Sequence, residues 1–429
     1  MVVAVIVMFI LFLFFILIKI PIFFSMAISS VISILVFSPE INLTIIPNNF
    51  FYGVNSFELL AVPFFIIAAE LMNECEITDR IFNFADSLIG SFPGGLGQVN
   101  ILASMIFAGM TGSGVADASG LGKVEVKAML DRGYTPEFTA AVTASSAIIG
   151  PIIPPSIPMV LMGVITSTSS GRLLIGGFFP GLIIGGTLML LVWILAFKRK
   201  IPISRKASFL LIWGNFKKAF LPLGTPIILI GGMLSGIFTP TEAAVVAVIY
   251  TLILGIFFYK KLKMGNLWQV LIRSAITSSK ILIILCGAGI ISSLVIRWNI
   301  IPPILNFFLS ISQSPRCIFF LIILLILFLG CFLIDLAIMV IVIPTVMPIV
   351  IKIGLDPVHF GVVAVLSLMI AMITPPVGSI MYIICDYTNI SIFQYIKEMI
   401  PFYIVLFGTI ILVMFFPQIV LFLPNLIMG

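Results

Sequence analysis

Two proline-rich stretches hold the residues best suited to bind an ion. In the first, "IIGPIIPPS", the prolines are Pro151, Pro154 and Pro155, and in the second, "MITPPVG", they are Pro375 and Pro376. Proline removes a backbone donor and clashes with the preceding helical turn, so an apolar helix is expected to break at both points. In hydrocarbon such a break survives only beside protein or a cavity. Its freed carbonyls can ligate Na⁺, and its half-helix N-termini can face a carboxylate.

Each proline-rich stretch follows a segment that is too long for one membrane crossing and too short for two. The first segment is residues 95–131, with "AGMTGSGVADASG" in its middle. Thr111, Gly112 and Ser113 form a poor helix and a good turn. The second segment is residues 317–352, with "LGCFLID" around Gly330. We predict two re-entrant hairpins whose tips reach the middle of the membrane. An ordinary helix pair with a glycine-rich turn is the alternative.

The few acidic residues near these tips need an assignment. Asp117 and Asp335 follow the two tips, and an ionisable residue at that depth is a functional candidate. A cap on the second hairpin helix, accepting backbone amides, needs no unpaired buried charge and is the preferred interpretation for both. Glu242 in "FTPTEAAVV" is assigned to a helix start. His359 lies near a loop beside Pro357 and is given no catalytic role.

The sequence carries no motif of an enzyme. It lacks GxxxxGK[ST], HExxH, GxSxG and CxxC, which counts against nucleotide hydrolysis, intramembrane proteolysis and redox chemistry. The five cysteines form no pair spaced for a metal cluster, so buried thiols are expected. Nothing indicates nucleic-acid binding or an organic cofactor. We therefore expect a protein that is not an enzyme.

Composition indicates a chain that crosses the membrane many times. Of its 429 residues, 61% are hydrophobic and 9% are charged, with a mean hydropathy of +1.32. Soluble domains have about a quarter of their residues charged, so this is a polytopic membrane protein. Residues 1–18 lack the basic region and cleavage site of a signal peptide and are interpreted as a spanning helix. The predicted spans are residues 2–19, 21–38, 55–75, 135–168, 172–197, 218–236, 239–258, 275–297, 357–388 and 399–424.

Two halves of the chain are related by one offset. The pairs separated by 221 positions are Pro136 and Pro357, Pro154 and Pro375, Pro155 and Pro376, Gly109 and Gly330, and Gly133 and Gly354. The short amphipathic segments "DRIFNFADSLIG" and "IPPILNFFLSIS" recur at nearly the same offset, so we infer a duplication. Five full crossings in each half would invert the second copy, and inverted repeats with broken helices are typical of secondary transporters. Packing kinks are the alternative to binding sites, but the equivalent placement of the two breaks favours binding.

The predicted architecture is an all-α polytopic membrane protein with two inverted repeats, each containing a re-entrant hairpin and a discontinuous transmembrane helix. The first repeat is residues 1–197, with hairpin 95–131 and broken helix 135–168. Residues 198–217 are rich in Lys and Arg, which predicts a cytoplasmic linker with an interfacial helix. The second repeat is residues 218–429, with hairpin 317–352 and broken helix 357–388.

Four motifs resemble the large membrane subunit of tripartite ATP-independent periplasmic (TRAP) transporters. They are "GMTGSGVADASGLGKVEVKAM", "ASSAIIGPIIPPSIPMVLMG", "GIFTPTEAA" and "MITPPVG". The resemblance covers nearly the whole chain. It implies an elevator-type fold, in which a static scaffold holds a mobile transport domain that contains both hairpins and both broken helices. It also implies uptake of an organic acid coupled to Na⁺.

The resemblance also implies partners and a location. These are a small four-helix membrane subunit, a periplasmic solute-binding protein and the bacterial inner membrane. Because the chain starts at the large subunit's first helix, the small subunit is expected to be a separate chain. The segment "GVADASGLG" resembles the corresponding sequence of members that carry sialic acid more than that of members that carry C4-dicarboxylates.

Carried over by position, the resemblance implies Na⁺ ligands at both tips and both breaks, mostly through backbone carbonyls. The ligands would be Thr111, Gly112, Ser113, Ser145, Ser146 and Gly150 in the first half, and Gly330, Cys331, Phe332, Thr374, Val377 and Gly378 in the second. The five prolines of the breaks would lie near the substrate. "LSLMIAMITPPVG" lacks the acid or amide that many members place ahead of the TPP turn. The side-chain part of the second Na⁺ site therefore stays open.

Other functions remain as alternatives. A stand-alone Na⁺/carboxylate symporter of related fold is the main one, and neighbouring genes for a small membrane protein and a secreted binding protein would decide between them. A channel could use the same hairpins, but broken helices and inverted repeats favour alternating access. A membrane-embedded enzyme would need a nucleophile–base pair or metal ligands, which the sequence does not offer.

Overall fold

The computed structural model describes residues 2–75, 77–199, 209–299 and 301–429, and all regular secondary structure in these ranges is helical. The helices of the first half are α1 (Val2–Leu17), α2 (Ile22–Phe37), α3 (Ile45–Val54), α4 (Ala61–Glu74, preceded by the 3-10 turn Phe57–Leu60), α5 (Ile77–Ile89), α6 (Leu96–Thr111), α7 (Gly114–Ser119), α8 (Leu121–Asp131), α9 (Pro136–Ala147), α10 (Ile157–Thr166), α11 (Ser170–Gly176) and α12 (Phe178–Arg199).

The described part of the second half continues with ten helices. They are α13 (Phe209–Leu234), α14 (Pro240–Ile253, extended by the π-helical turn Leu254–Phe258), α15 (Met264–Arg297), α16 (Ile301–Ile311), α17 (Pro315–Gly330), α18 (Asp335–Lys352), α19 (Pro357–Ala371), α20 (Ser379–Thr388), α21 (Ile392–Phe415) and α22 (Gln418–Met428).

The predicted polytopic membrane architecture is confirmed. In the described ranges, six helical stretches are long and apolar enough to cross a membrane, and two bent helix pairs can each count as a further span. The bends are 60° between α3 and the stretch Phe57–Glu74, and 112° between α16 and α17. The predicted amphipathic segments form α5 and α16. In α5 the buried face includes Ile81, Phe82 and Ala85, as the apolar periodicity of an amphipathic helix requires.

Helix pairs occupy both predicted hairpin segments and both predicted helix breaks are present, while the re-entrant position of the hairpins in the membrane stays a prediction. The first hairpin consists of α6, the short α7 and α8, and the second consists of α17 and α18. The first broken helix is α9 and α10 with residues 148–156 between them, and the second is α19 and α20 with residues 372–378 between them. Gly133 and Gly354, one offset apart, both have φ +79°. The kink at Gly120, which separates α7 from α8, was not predicted.

Some element boundaries differ from the prediction. The predicted span 399–424 crosses the end of α21, which finishes at Phe415, just before Pro417. Helix α21 begins early because Ser391 and Gln394 form a capping box, an S-x-x-Q signal that hydropathy overlooks. Helices α13 and α15 also begin before the predicted 218 and 275, at Phe209 and Met264. Of the predicted linker 198–217, residues 200–208 lie outside the described residues.

The helices pack in two groups. Helix α15 packs against α2, α3 and α4, and α13 packs against α5 and α14. In the other group α9 contacts α6, α8, α20 and α21, while α19 contacts α17, α18 and α21. The two groups meet where α15 touches α18 and where α4, α5 and α13 touch α6. Division of the chain into inverted repeats at residues 197 and 218 stays a prediction.

Candidate functional site

The first helix break is a buried nine-residue segment between Ala147 and Ile157. Pro154 has no N–H group, so the carbonyl of Gly150, which would pair with it in a helix, loses its donor. Within the described ranges no donor reaches the carbonyl oxygens of Gly150, Ile153 or Pro154. The hydroxyl of Ser156 donates to the carbonyl of Pro151, and its oxygen caps α10 by accepting from the amide of Met159 at 3.2 Å. The break therefore presents buried carbonyls that remain free to accept.

The first hairpin tip docks directly onto this break. Thr111 ends α6, and Gly112 adopts φ +61°, a conformation that favours glycine. The carbonyl of Gly112 accepts from the amide of Ile157, the first residue of α10, at 3.2 Å. A Cβ at Gly112 would lie 2.6 Å from the carbonyl oxygen of Pro155, so only glycine allows this close approach. The predicted tip and the predicted break are thus in contact.

Asp117 faces the first break and does not cap a helix, so the predicted cap is wrong for this residue. The N-cap of α7 is Ser113, whose hydroxyl oxygen accepts from the amide of Ala116 at 3.4 Å. Asp117 is buried and accepts a hydrogen bond from the hydroxyl of Thr111 through one carboxylate oxygen. Its other oxygen has no hydrogen-bond partner and lies against Gly150. A buried carboxyl group therefore lies beside free carbonyls of the break.

The hydroxyls of Ser145 and Ser146 face other helices. The Ser146 hydroxyl donates to the side-chain oxygen of Asn100 on α6 at 2.6 Å, and the Asn100 amide donates to the hydroxyl of Thr143 at 2.8 Å. The Ser145 hydroxyl contacts the sulfur of Met399 on α21 at 3.7 Å. These side-chain contacts therefore hold α9 against α6 and α21. Asn100 was not predicted, because only the fold brings it opposite α9.

The second tip docks onto the second break in the same manner. The amide of Val377 donates to the carbonyl of Cys331 at 3.0 Å. Gly330 packs against Ala371, the last residue of α19, too closely for a side chain at position 330. Gly378 is also required, since its Cβ would lie 2.8 Å from the carbonyl oxygens of Met372 and Thr374.

The two breaks differ in exposure and in how their carbonyls are satisfied. Phe332 is 53% exposed and Val377 is 43% exposed, whereas the first break is buried. In the second break the carbonyl of Met372 accepts from Ile380 at 3.1 Å, and that of Thr374 accepts from Gly378 at 3.2 Å. Tyrosine hydroxyls reach two further carbonyls of the break. The hydroxyl of Thr374 donates to the carbonyl of Ile370 at 2.8 Å.

Asp335 begins the helix that follows the second tip. It is the first residue of α18, whose N-cap position belongs to Ile334 without a side-chain cap hydrogen bond, so the predicted cap is wrong for this residue too. A carboxylate in the first turn still suits the positive end of the helix dipole. Glu242 forms the expected capping box with Thr239 at the start of α14. His359 is buried and hydrogen-bonds the carbonyl of Val413 at 2.9 Å, so its role is in packing.

A cavity of about 290 Å³ lies between the two tips and the two breaks. Ile157 and Ser379, which begin α10 and α20, are among the residues that line it, and Asp335 lies at its wall. The amides of Ile157 and Met159 in α10 and of Ile380 in α20 already donate within the protein, so these helix starts offer a carboxylate ligand their partial positive charge rather than a set of free amides. The other residues that line the cavity are Gly112, Ser113, Gly114, Val115, Pro151, Pro158, Leu161, Ile281, Ile334, Leu336, Met369 and Met372.

The cavity is lined mainly by apolar side chains, and its few polar groups are oxygens of the backbone, of Ser113 and Ser379, and of the Asp335 carboxyl. Oxygen ligands suit a hard cation better than a transition metal. In the described part of the chain no cluster of three or more His, Cys, Asp or Glu side chains could hold a metal ion.

Comparison with known proteins identifies the family to which the chain belongs. Residues 9–419 match the model of the family described as "Tripartite ATP-independent periplasmic transporter, DctM component". The chain is 42% identical over 377 residues to the sialic acid TRAP transporter large permease protein SiaM of Vibrio cholerae, covering 88% of each. It is 40% identical to the sialic acid TRAP transporter permease protein SiaT of Haemophilus influenzae, covering 88% of this chain and 61% of that protein.

A solved structure is similar in fold alone. The crystal structure of the Alcanivorax borkumensis YdaH transporter superposes with a TM-score of 0.64 at 12% sequence identity, covering 87% of this chain and 88% of that one. At such low identity the similarity concerns the arrangement of helices and says nothing of substrate or ions.

Proposed function

The chain belongs to the DctM component family of tripartite ATP-independent periplasmic transporters and is a large permease, and we propose that it drives uptake of an organic acid with a Na⁺ gradient. The observation that supports this function best is the docking of each hairpin tip on one helix break. The amide of Ile157 donates to the carbonyl of Gly112 in the first half, and the amide of Val377 donates to the carbonyl of Cys331 in the second. The first contact lies at the wall of the cavity.

The first Na⁺ would bind where the first tip meets the first break. Its ligands would be groups of Thr111, Gly112, Ser113 and Gly150, with Ser145 and Ser146 contributing through their backbone. The free carbonyl of Gly150 supports this assignment. The partnerless oxygen of Asp117 lies against Gly150, and a cation bound there would compensate this buried carboxyl group in its ionised form.

The second Na⁺ would bind at the second tip and break. Its ligands would come from two sets of residues. Gly330, Cys331 and Phe332 belong to the tip, and Thr374, Val377 and Gly378 belong to the break. Most carbonyls of this break already accept hydrogen bonds, so fewer remain for an ion than in the first half. This difference supports two sites of unequal character.

The substrate would occupy the cavity with its carboxylate toward the N-termini of α10 and α20. Pro151, Pro154, Pro155, Pro375 and Pro376 hold the breaks open beside it. Two relatives named as sialic acid transporters, at 42% and 40% identity, favour a sialic acid over a C4-dicarboxylate. A sialic acid is large, so binding requires the cavity to widen on opening.

The permease would act with two partners and by an elevator motion. A small four-helix membrane subunit would support the scaffold, and a periplasmic binding protein would deliver the solute. The location would be the bacterial inner membrane, with Lys198 and Arg199 at the end of α12 and Lys217 and Lys218 of α13 on the cytoplasmic side. The group of helices that contains both hairpins would move against the group formed around α15.

Reconstitution in proteoliposomes tests this function. With permease, small subunit and binding protein present, we expect solute uptake that follows an inward Na⁺ gradient, stops when choline replaces Na⁺, and needs no ATP. A control omits the binding protein. Equal uptake of free solute in that control would favour a stand-alone Na⁺/carboxylate symporter, and uptake indifferent to Na⁺ would reject the coupling.

A further inference from the structure

Two tyrosine hydroxyls converge on one carbonyl oxygen of the second break. Tyr395 and Tyr403, both on α21, donate to the carbonyl of Ile373 at oxygen–oxygen distances of 3.1 Å and 2.7 Å. Tyr395 is fully buried and Tyr403 is partly buried. A carbonyl oxygen has two lone pairs, so these two donors fill the acceptor capacity of Ile373. This oxygen is therefore not free to ligate an ion.

Because of the position of Ile373, this contact also restrains the backbone next to the proposed Na⁺ ligands. Ile373 immediately precedes Thr374 and the two prolines, and a peptide group is planar. The two tyrosines of α21 hold the Ile373 oxygen, so they also fix the peptide nitrogen of Thr374, which lies in the same peptide plane. The break is thus tied to α21 at the point where the proposed Na⁺ ligands begin.

The first break forms without such a contact. One offset of 221 earlier, the carbonyl corresponding to Ile373 belongs to Ile152, and it packs closely against Gly177. The positions corresponding to Tyr395 and Tyr403 are Leu174 and Leu182. A broken helix of this kind consequently does not need tyrosine hydroxyls in order to fold. Their presence distinguishes the second break from the first.

We propose that Tyr395 and Tyr403 are positioning residues for the second coupling ion. They hold the Ile373 carbonyl away from the ion and so orient the peptide groups from Thr374 to Gly378 toward it. Neither tyrosine touches the ion itself. The inference rests on the proposed function, since it takes Na⁺ as the coupling ion.

The test removes the hydroxyls and keeps the rings. Tyr395→Phe and Tyr403→Phe, singly and together, are compared with Tyr250→Phe, because the Tyr250 hydroxyl donates to the Leu221 carbonyl at 2.8 Å, remote from both breaks. We expect the half-saturating Na⁺ concentration for uptake to rise about fivefold in each single variant and more than about tenfold in the double variant. KM for binding-protein-delivered solute and the melting temperature in Na⁺-free buffer should match those of Tyr250→Phe.

Na⁺-dependent thermal stabilisation provides a second measurement that needs no transport. In the double variant, the rise in melting temperature on replacing choline by Na⁺ should require about tenfold more Na⁺ than in the unaltered protein. Normal Na⁺ half-saturation with a lowered maximal rate would overturn the positioning role. If the double variant does not fold, the two single variants are judged by the same criterion. If neither uptake nor melting temperature depends on Na⁺ in the unaltered protein, the proposed coupling is rejected, and the inference that rests on it is rejected too.

Discussion

Gly112 and Pro154 shape the first site through the backbone alone. Gly112 lets the tip approach the break because it has no Cβ, and Pro154 frees the carbonyl of Gly150 because it has no N–H. Both effects depend on what the residue lacks. Side-chain chemistry therefore has less influence here than backbone geometry, with the exception of Asp117.

Replacing Gly112 by alanine tests that backbone contact, and Gly133→Ala is its matched control. Both glycines have positive φ, but nothing lies within 4 Å of a Cβ at Gly133. Gly133→Ala should cost only the strain of a left-handed residue, about 1–2 kcal/mol. Gly112→Ala should cost more and should lower uptake more than about tenfold, because the tip must move off Pro155. Melting temperature and Na⁺-driven uptake measure both effects, and equal uptake in the two variants would contradict the contact.

The elements of the site were predicted well because they depend on local signals. Proline and glycine mark the ends of α9 and α19 and the tips of both hairpins, whatever the rest of the fold does. Contacts between elements that are distant in the sequence could not be predicted from such local signals. Asn100 meets Ser146 across two helices, and Asp117 meets Gly150 across the tip, so the sequence showed neither pairing. The capping box that begins α21 is different, since its S-x-x-Q signal was present and was missed.

Changing Pro154 and Pro155 together to alanine should rejoin the first broken helix. Proline in a helix interior itself costs about 3 kcal/mol, so thermal stability should change little while the carbonyl of Gly150 regains a donor. Na⁺-driven uptake should fall more than about tenfold because the ion loses carbonyl ligands. Pro375→Ala with Pro376→Ala should act in the same way.

The matched control for these variants is Pro222→Ala with Pro226→Ala, because both prolines lie inside the continuous helix α13. Uptake should survive in the control. If both break variants transport at the normal rate and fold normally, the breaks are packing kinks and carry no ion.

The whole molecule consists of two helix groups that share few polar contacts. One such contact joins the carboxylate of Glu58, in the turn before α4, to the hydroxyl of Ser170 at the start of α11. The turn itself is held to α14 through the Thr241 hydroxyl, which donates to the Phe57 carbonyl at 3.3 Å. An elevator motion must separate Glu58 from Ser170.

A disulfide between these positions should therefore stop transport. In a background with the five native cysteines replaced by serine, Glu58→Cys with Ser170→Cys should lose most uptake on oxidation and regain it on reduction. Arg172→Cys with Asn425→Cys is the control, since these side chains join α11 to α22, and both of these helices contact α19 of the second group. Undiminished uptake by the cross-linked Glu58–Ser170 pair would exclude movement at this boundary.

Helix α15 has 34 residues, which is about 51 Å at 1.5 Å per residue, against a hydrocarbon core of about 30 Å. It exceeds that thickness, so part of it lies beyond the hydrocarbon or the helix tilts. The charged groups of its N-terminal half are Arg273, paired with Glu70 and Glu74 at 3.2 Å, and the exposed Lys280. We expect this end to extend past the lipid tails, so that the helix at the centre of the first group also forms part of the protein's surface outside the membrane.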